Sequence, residues 1–170
     1  MLASGSTGAL APRFNGCAVM NEYLLGQTIV FRVYANNADQ GGAVMDTSNT
    51  AKAYIEVAGV KDPLPLSYGN HSGSAFWTAV LKTGTAAGQY STLGIINYKI
   101  TMVAKDITTA KVLATKRVAK TVDGKTTYEW VSYYRTKKLT WPIKGATGTL
   151  APYWAATTSL LTLYAPPAAK

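Results

Sequence analysis

The chain has one cysteine, one histidine and eight carboxylates in 170 residues, and each shortage removes a class of chemistry. A zinc site takes three or four Cys or His ligands; Cys17 and His71 are all there is, so a protein zinc site is excluded. Cys17 has no partner for a disulfide within the chain and reads as a buried, inert thiol. A Ser, Thr or Cys nucleophile needs a base within hydrogen-bond reach. His71 stands in the turn-like run Tyr68-Gly69-Asn70-His71-Ser72-Gly73, where a solvated ring is the simpler reading. Neither a Walker A pattern nor Gly-x-Gly-x-x-Gly after a strand is present, so nucleotide binding by those routes has no support. The scattered acids offer no spacing that unites a catalytic carboxylate pair. Asn36, Asn37, Asp39 and Asp46 carry the oxygens a hard cation wants, but with so few acids they read as turn caps. No run reaches the roughly 18 unbroken apolar residues of a membrane-spanning helix. The expectation is a non-enzymatic protein without cofactor, and with no catalytic or metal-binding residues.

What is plentiful points to a folded domain. Hydrophobic residues make up 48% of the chain, and a single domain of this length buries about 70% of the surface its unfolded form exposes. The formal net charge is +9 although only 15% of residues are charged, so the excess comes from scarce acids. It is concentrated. Residues 105–144 hold ten bases (Lys105, Lys111, Lys116, Arg117, Lys120, Lys125, Arg135, Lys137, Lys138, Lys144) against Asp106, Asp123 and Glu129, a net +7 of the +9. Lys111, Lys116, Arg117, Lys120, Lys137 and Lys138 form a candidate basic patch for nucleic acid or anionic glycans, or else a solvated face. Met1 precedes small residues without a charged stretch and an apolar stretch, so no export signal is legible. The expected setting is extracellular or at a cell surface after leader removal, with a virion as the alternative.

Residues 2–15 read as an irregular arm of small residues with Pro12 and no period. After Gly26, Ile29, Phe31 and Val33 alternate in a β-branched, aromatic run, the mark of a strand. Residues 36–42 are dense in turn formers. Ala53, Ile55 and Val57 alternate again, and Asp62-Pro63-Leu64-Pro65 confines anything nearby to a sheet edge. Trp77, Ala79 and Leu81 face one way. Ile96, Tyr98, Ile100, Met102 and Ala104 make the clearest strand. Residues 111–122, 126–135 and 157–164 are further strand candidates. No 3.6-residue period outlasts about two turns, so the reading is all-β, a sandwich or barrel.

The order Gly26-x-Thr28 to Tyr34, a Gly-rich turn, Tyr54-Ile55-Glu56-Val57, Phe76-Trp77-Thr78-Ala79 and Gly94-x-x-Asn97-Tyr98-Lys99-Ile100-Thr101-Met102-Val103-Ala104-Lys105-Asp106 resembles immunoglobulin-like domains of bacterial and archaeal surface proteins. The resemblance covers about residues 20–120 and implies an antiparallel β-sandwich. In that family Tyr98 would be the tyrosine-corner residue, its ring in the core and its hydroxyl on backbone. The paired cysteines of antibody domains are missing, and about fifty residues follow Val122. The expected organisation is an N-terminal arm over 1–19, the sandwich over 20–122, and a C-terminal strand extension over 123–170 that packs on the domain or exchanges with a neighbour.

The aromatic and basic residues Tyr128, Trp130, Tyr133, Tyr134, Arg135, Lys137, Lys138 and Trp141 form the strongest candidate surface. As a strand, Tyr128, Trp130 and Tyr134 share one face with Ser132, and Val131, Tyr133 and Arg135 share the other. One face is expected to be core. The other is a subunit interface, or a platform for stacking sugars or bases. At the C-terminus Leu160, Leu161, Leu163 and Tyr164 are candidates for strand exchange with a neighbour's sheet edge. The leading expectation is a structural subunit of an extracellular or surface assembly that self-associates through terminal arms. The alternatives are a carbohydrate-binding module and a virion decoration or nucleic-acid-associated basic protein.

Overall fold

The structure is a computed structural model that describes residues 2–6, 19–71, 73–151 and 160–167; Cys17 and residues 157–159 of the expected last strand lie outside them. The strands are β1 (Leu2–Ser6), β2 (Glu22–Leu24), β3 (Thr28–Val33), β4 (Asn36–Asn37), β5 (Ala43–Val44), β6 (Thr50–Val57), β7 (Leu64–Pro65) and β8 (Ser67–His71). They continue with β9 (Ser74–Lys82), β10 (Gly94–Ile95), β11 (Tyr98–Ala104), β12 (Ile107–Val122), β13 (Lys125–Ile143), β14 (Thr147–Leu150) and β15 (Thr162–Tyr164). The protein is all-β and sandwich-like, and one short 3-10 turn, Ala38–Gln40, is the only helical piece among the described residues.

The chain divides into two units: residues 1–104 with 146–170, and Lys105–Gly145. In the first, one antiparallel sheet runs β1-β3-β9-β8 and another β14-β11-β6-β7. Period-2 alternation sends every second side chain to the shared core. Ile29, Phe31 and Val33 of β3 and Trp77, Ala79 and Leu81 of β9 enter it from one sheet. Ile55 and Val57 of β6 and Tyr98, Ile100, Met102 and Ala104 of β11 enter it from the other. The sheets meet where the Phe31 and Tyr98 rings touch edge to face at 5.5 Å. Trp77 ties the rim down, its Nε1 donating to the Met45 carbonyl at 2.8 Å. Each fully buried large side chain here contributes about 1.5–3 kcal/mol by leaving water. Pro65 lies in β7, the edge strand of its sheet, where a missing N–H costs no ladder bond.

Two readings of the sequence change and a third narrows. Residues 2–6 are not irregular: they pair antiparallel with β3, from Leu2↔Arg32 to Ser6↔Thr28. Ladder bonds need only backbone, so a strand of small residues leaves no period to read. Residues 67–71 are a strand before they are a turn, paired with β9 from Ser67↔Thr78 to His71↔Ser74. The C-terminal segment, expected to pack on the domain or to exchange with a neighbour, packs within its own chain at its apolar residues. β15 inserts between β10 and β2, parallel to β2, and Leu161 and Leu163 are fully buried in this chain's core. Backbone bonds lock it: Ile96 N–H donates to the Leu161 carbonyl and Leu25 N–H to the Tyr164 carbonyl, both at 2.8 Å. Leu160 is half-buried and Tyr164 exposed. The alternation that suits a neighbour's edge suits the chain's own slot, which is always at hand.

The unit boundaries also fall away from residue 122. β12 pairs with β13 alone, and the chain returns to the sandwich unit only with β14, which pairs with β11.

Candidate binding surface on the long hairpin

Lys105–Gly145 is one antiparallel hairpin. Its turn is Asp123-Gly124, with φ of 50° and 73°, the doubly positive φ that a two-residue type I′ turn requires and that Gly and Asp tolerate best. An Asp-Gly pair between two strand candidates is a hairpin signal that the sequence reading passed over. The register is regular from Val122↔Lys125 to Thr109↔Lys138, then shifts to Ile107↔Ile143. At the base, Lys144 Nζ lies 2.9 Å from Asp106 Oδ2 and Gly145 N–H donates to Asp106 Oδ1 at 3.3 Å. The Lys144 hydrogen bond, helped by the Gly145 amide, holds the Asp106 carboxyl below its ordinary pKa.

Directly opposed residues share a face, so the register sorts the side chains. One face carries Thr109/Lys138, Lys111/Thr136, Leu113/Tyr134, Thr115/Ser132, Arg117/Trp130 and Ala119/Tyr128. The other carries Ala110/Lys137, Val112/Arg135, Ala114/Tyr133, Lys116/Val131, Val118/Glu129 and Lys120/Thr127. The division of Tyr128, Trp130 and Tyr134 from Val131, Tyr133 and Arg135 is as the alternation implies. The expectation that one face is core is corrected: every residue from Lys120 to Lys138 is exposed. Two strands make a single layer, and among the described strands β12 and β13 pair only with each other.

The aromatic side chains stand far into solvent, with exposures of 71% for Trp130, 72% for Tyr134 and 58% for Tyr128. Tyr133 is less open, with Lys116 Nζ 5.3 Å from its ring centre. The Arg117 guanidinium sits 4.2 Å from the Tyr128 ring centre, a cation–π contact that fixes both groups. Trp141 is also exposed but lies where the register shifts, apart from the paired stripe. Of the basic patch, Lys111, Arg117 and Lys138 share the face of Trp130, whereas Lys116, Lys120 and Lys137, with Arg135, share the other.

In the sandwich unit, Asn37 caps the 3-10 turn by accepting from Asp39 N–H at 3.0 Å. Asp46 Oδ1 accepts from Ser48 N–H at 2.7 Å. These side chains act as turn caps. Sequence reasoning missed that Asn37 is buried and that its Nδ2 has no partner, on the wall of a cleft of about 300 Å³ shared with Val33, Met45, Met102 and Leu150. A strand too short to show a period hides it. Tyr23 was missed as well: it is fully buried, its hydroxyl donates to the Met20 carbonyl at 3.0 Å, and burial raises its pKa. His71 is exposed and stacks on Phe76 with ring centres 4.8 Å apart. Among the described residues no three of His, Cys, Asp and Glu gather in one place.

No protein-family model matches the sequence, and comparison with curated proteins and with solved structures finds no match.

Proposed function

We propose that this protein is a non-enzymatic structural subunit of an ordered assembly, built on an immunoglobulin-like sandwich and associating through its long hairpin. The reading rests on the hairpin. Isolated two-stranded ribbons are marginal in water, yet this one extends over strands of 16 and 19 residues with large apolar side chains exposed. A ribbon of that length gains its stability when one side is covered. The face carrying Ala110, Val112, Ala114, Val118 and Val131 supplies the apolar contact. A second ribbon is a poor cover. Lys111, Lys116, Arg117, Lys120, Lys125, Arg135, Lys137 and Lys138 against Asp123 and Glu129 leave residues 107–143 of each hairpin at a net +6. Glu22, Asp39, Asp46, Glu56 and Asp62 all belong to the sandwich unit, which against seven bases carries a net charge of only +2, so a hairpin laid on a neighbour's sandwich meets far less repulsion than one laid on a second hairpin. Such heterologous contacts generate filaments or lattices where the rotation between neighbours does not close, and rings where it does.

The immunoglobulin-like part of the proposal draws support from strand order. In lettered form, β1-β3-β9-β8 reads A-B-E-D and β14-β11-β6-β7 reads G-F-C-C′, the arrangement of immunoglobulin sheets with one variable-type strand added. Tyr98 then opens strand F with its ring in the core, and the hairpin is an enlarged F–G connection, one of the binding loops of variable domains. An extracellular, cell-surface or virion setting fits this role. Replacing residues 107–143 by a short Gly-Ser turn should leave a cooperatively melting monomer that no longer assembles on sizing columns or in electron micrographs. Assembly that persists without the hairpin, or a full-length protein that stays monomeric at high concentration, would overturn the proposal.

A further inference from the structure

The face of the hairpin that carries Trp130 contains no acid. Its charged members are Lys111, Arg117 and Lys138, while Glu129 points from the opposite face and Asp123 sits in the turn. Along the same face stand Tyr128, Trp130 and Tyr134, each more than half exposed. At about 3.4 Å per residue the three rings spread over roughly 20 Å, with about 7 Å between the first two and about 14 Å to the third. Flat π-surfaces at intervals, flanked by cations and free of acids, form the pattern that takes up unpaired bases by stacking and their phosphates by charge. We infer that this face binds single-stranded nucleic acid.

The chemistry selects this occupant over others. A neutral glycan would use the rings but leave the one-signed charge without a role. A duplex hides its base faces and would engage only the charge. A second hairpin is repelled by the excess of positive charge on both ribbons. Arg117 is placed for two tasks: its guanidinium plane rests on Tyr128, and its N–H groups remain to fork onto a phosphate. The assignment does not depend on the assembly proposed above, because it concerns the opposite face of the ribbon and one molecule suffices for it.

The test is fluorescence anisotropy of the full chain with a labelled 15-nucleotide oligo-dT, at dilution where the protein is monomeric. With three bases at phosphates, log affinity should fall against log salt with a slope of about −2. Trp130→Ala, with its strand content checked by circular dichroism, should weaken binding about 10- to 100-fold, the loss of one stacking platform. Trp130→Phe should recover much of it, and Tyr133→Ala on the opposite face should leave affinity within about 3-fold. Arg117→Gln should flatten the salt slope by about 0.7. The inference is overturned if oligo-dT does not bind at low salt, if a duplex or heparin competes as well as oligo-dT does, or if Trp130→Ala binds like the parent. A result confined to neutral oligosaccharides overturns it in favour of a glycan platform. Failure here with assembly intact leaves the structural role standing, and loss of assembly with oligo-dT binding intact does the reverse.

Discussion

β11 and β13 are written in the same code and meet opposite fates. Tyr98, Ile100, Met102 and Ala104 take every second position and are buried. Tyr128, Trp130 and Tyr134, with Ser132 among them, likewise take every second position and stand exposed. The difference lies in what each strand faces. β11 belongs to a four-stranded sheet with a second four-stranded sheet across the core, whereas β13, among the described strands, pairs only with β12. Alternation specifies a strand with two distinct faces. Which face leaves water depends on the covering layer, supplied within the chain for β11 and, in our proposal, by other molecules for β13.

This contrast can be broken or sharpened by experiment. The largest effect should come from the C-terminal strand: Leu163→Ala removes a fully buried side chain and should cost about 2–5 kcal/mol of stability. Trp130→Ala, a larger truncation by volume, should change the stability of the monomer by no more than about 0.5 kcal/mol because its ring is already in water. Chemical denaturation of both variants checks the pair, and equal losses would erase the distinction between the regions. A smaller effect belongs to the turn. Gly124→Val forces a β-branched residue into positive φ and should loosen the hairpin by about 1–2 kcal/mol. The signature is faster amide exchange along β12 and β13 with unchanged exchange in β3 and β11.

The smallest effect is at the base of the hairpin. The Asp106 carboxyl titrates below its usual value because Lys144 and the Gly145 amide bind its charged form. Its contribution is therefore fully present above the ordinary carboxylate pKa and is lost as pH falls through the depressed one. Exchange at the Gly145 amide should rise over that acidic window, after correction for intrinsic rates, and Asp106→Asn should show the raised level at neutral pH. A pH-independent protection factor would remove the interaction from the account.

Much of the sandwich unit was legible because its long strands bury one face each: the inward residues of β3, β6, β9 and β11 are those the alternation selects. The short strands β2, β10 and β14 were not, since two to four residues carry too few alternations to stand out. The faces of β13 were legible over residues 128–135. Their exposure was not, because an amphipathic strand has the same sequence whether its partner is another part of the chain or another molecule.

The identity of the long alternating strands, the sorting of their side chains onto faces and the concentration of positive charge in residues 105–144 were thus determined by the sequence alone, since all three follow from local backbone geometry and residue type. Tertiary structure decided that Leu161 and Leu163 close this chain's own core and that Trp130 and Tyr134 stand exposed. Burial depends on which distant segment lies opposite a face, and a two-residue period carries no record of that.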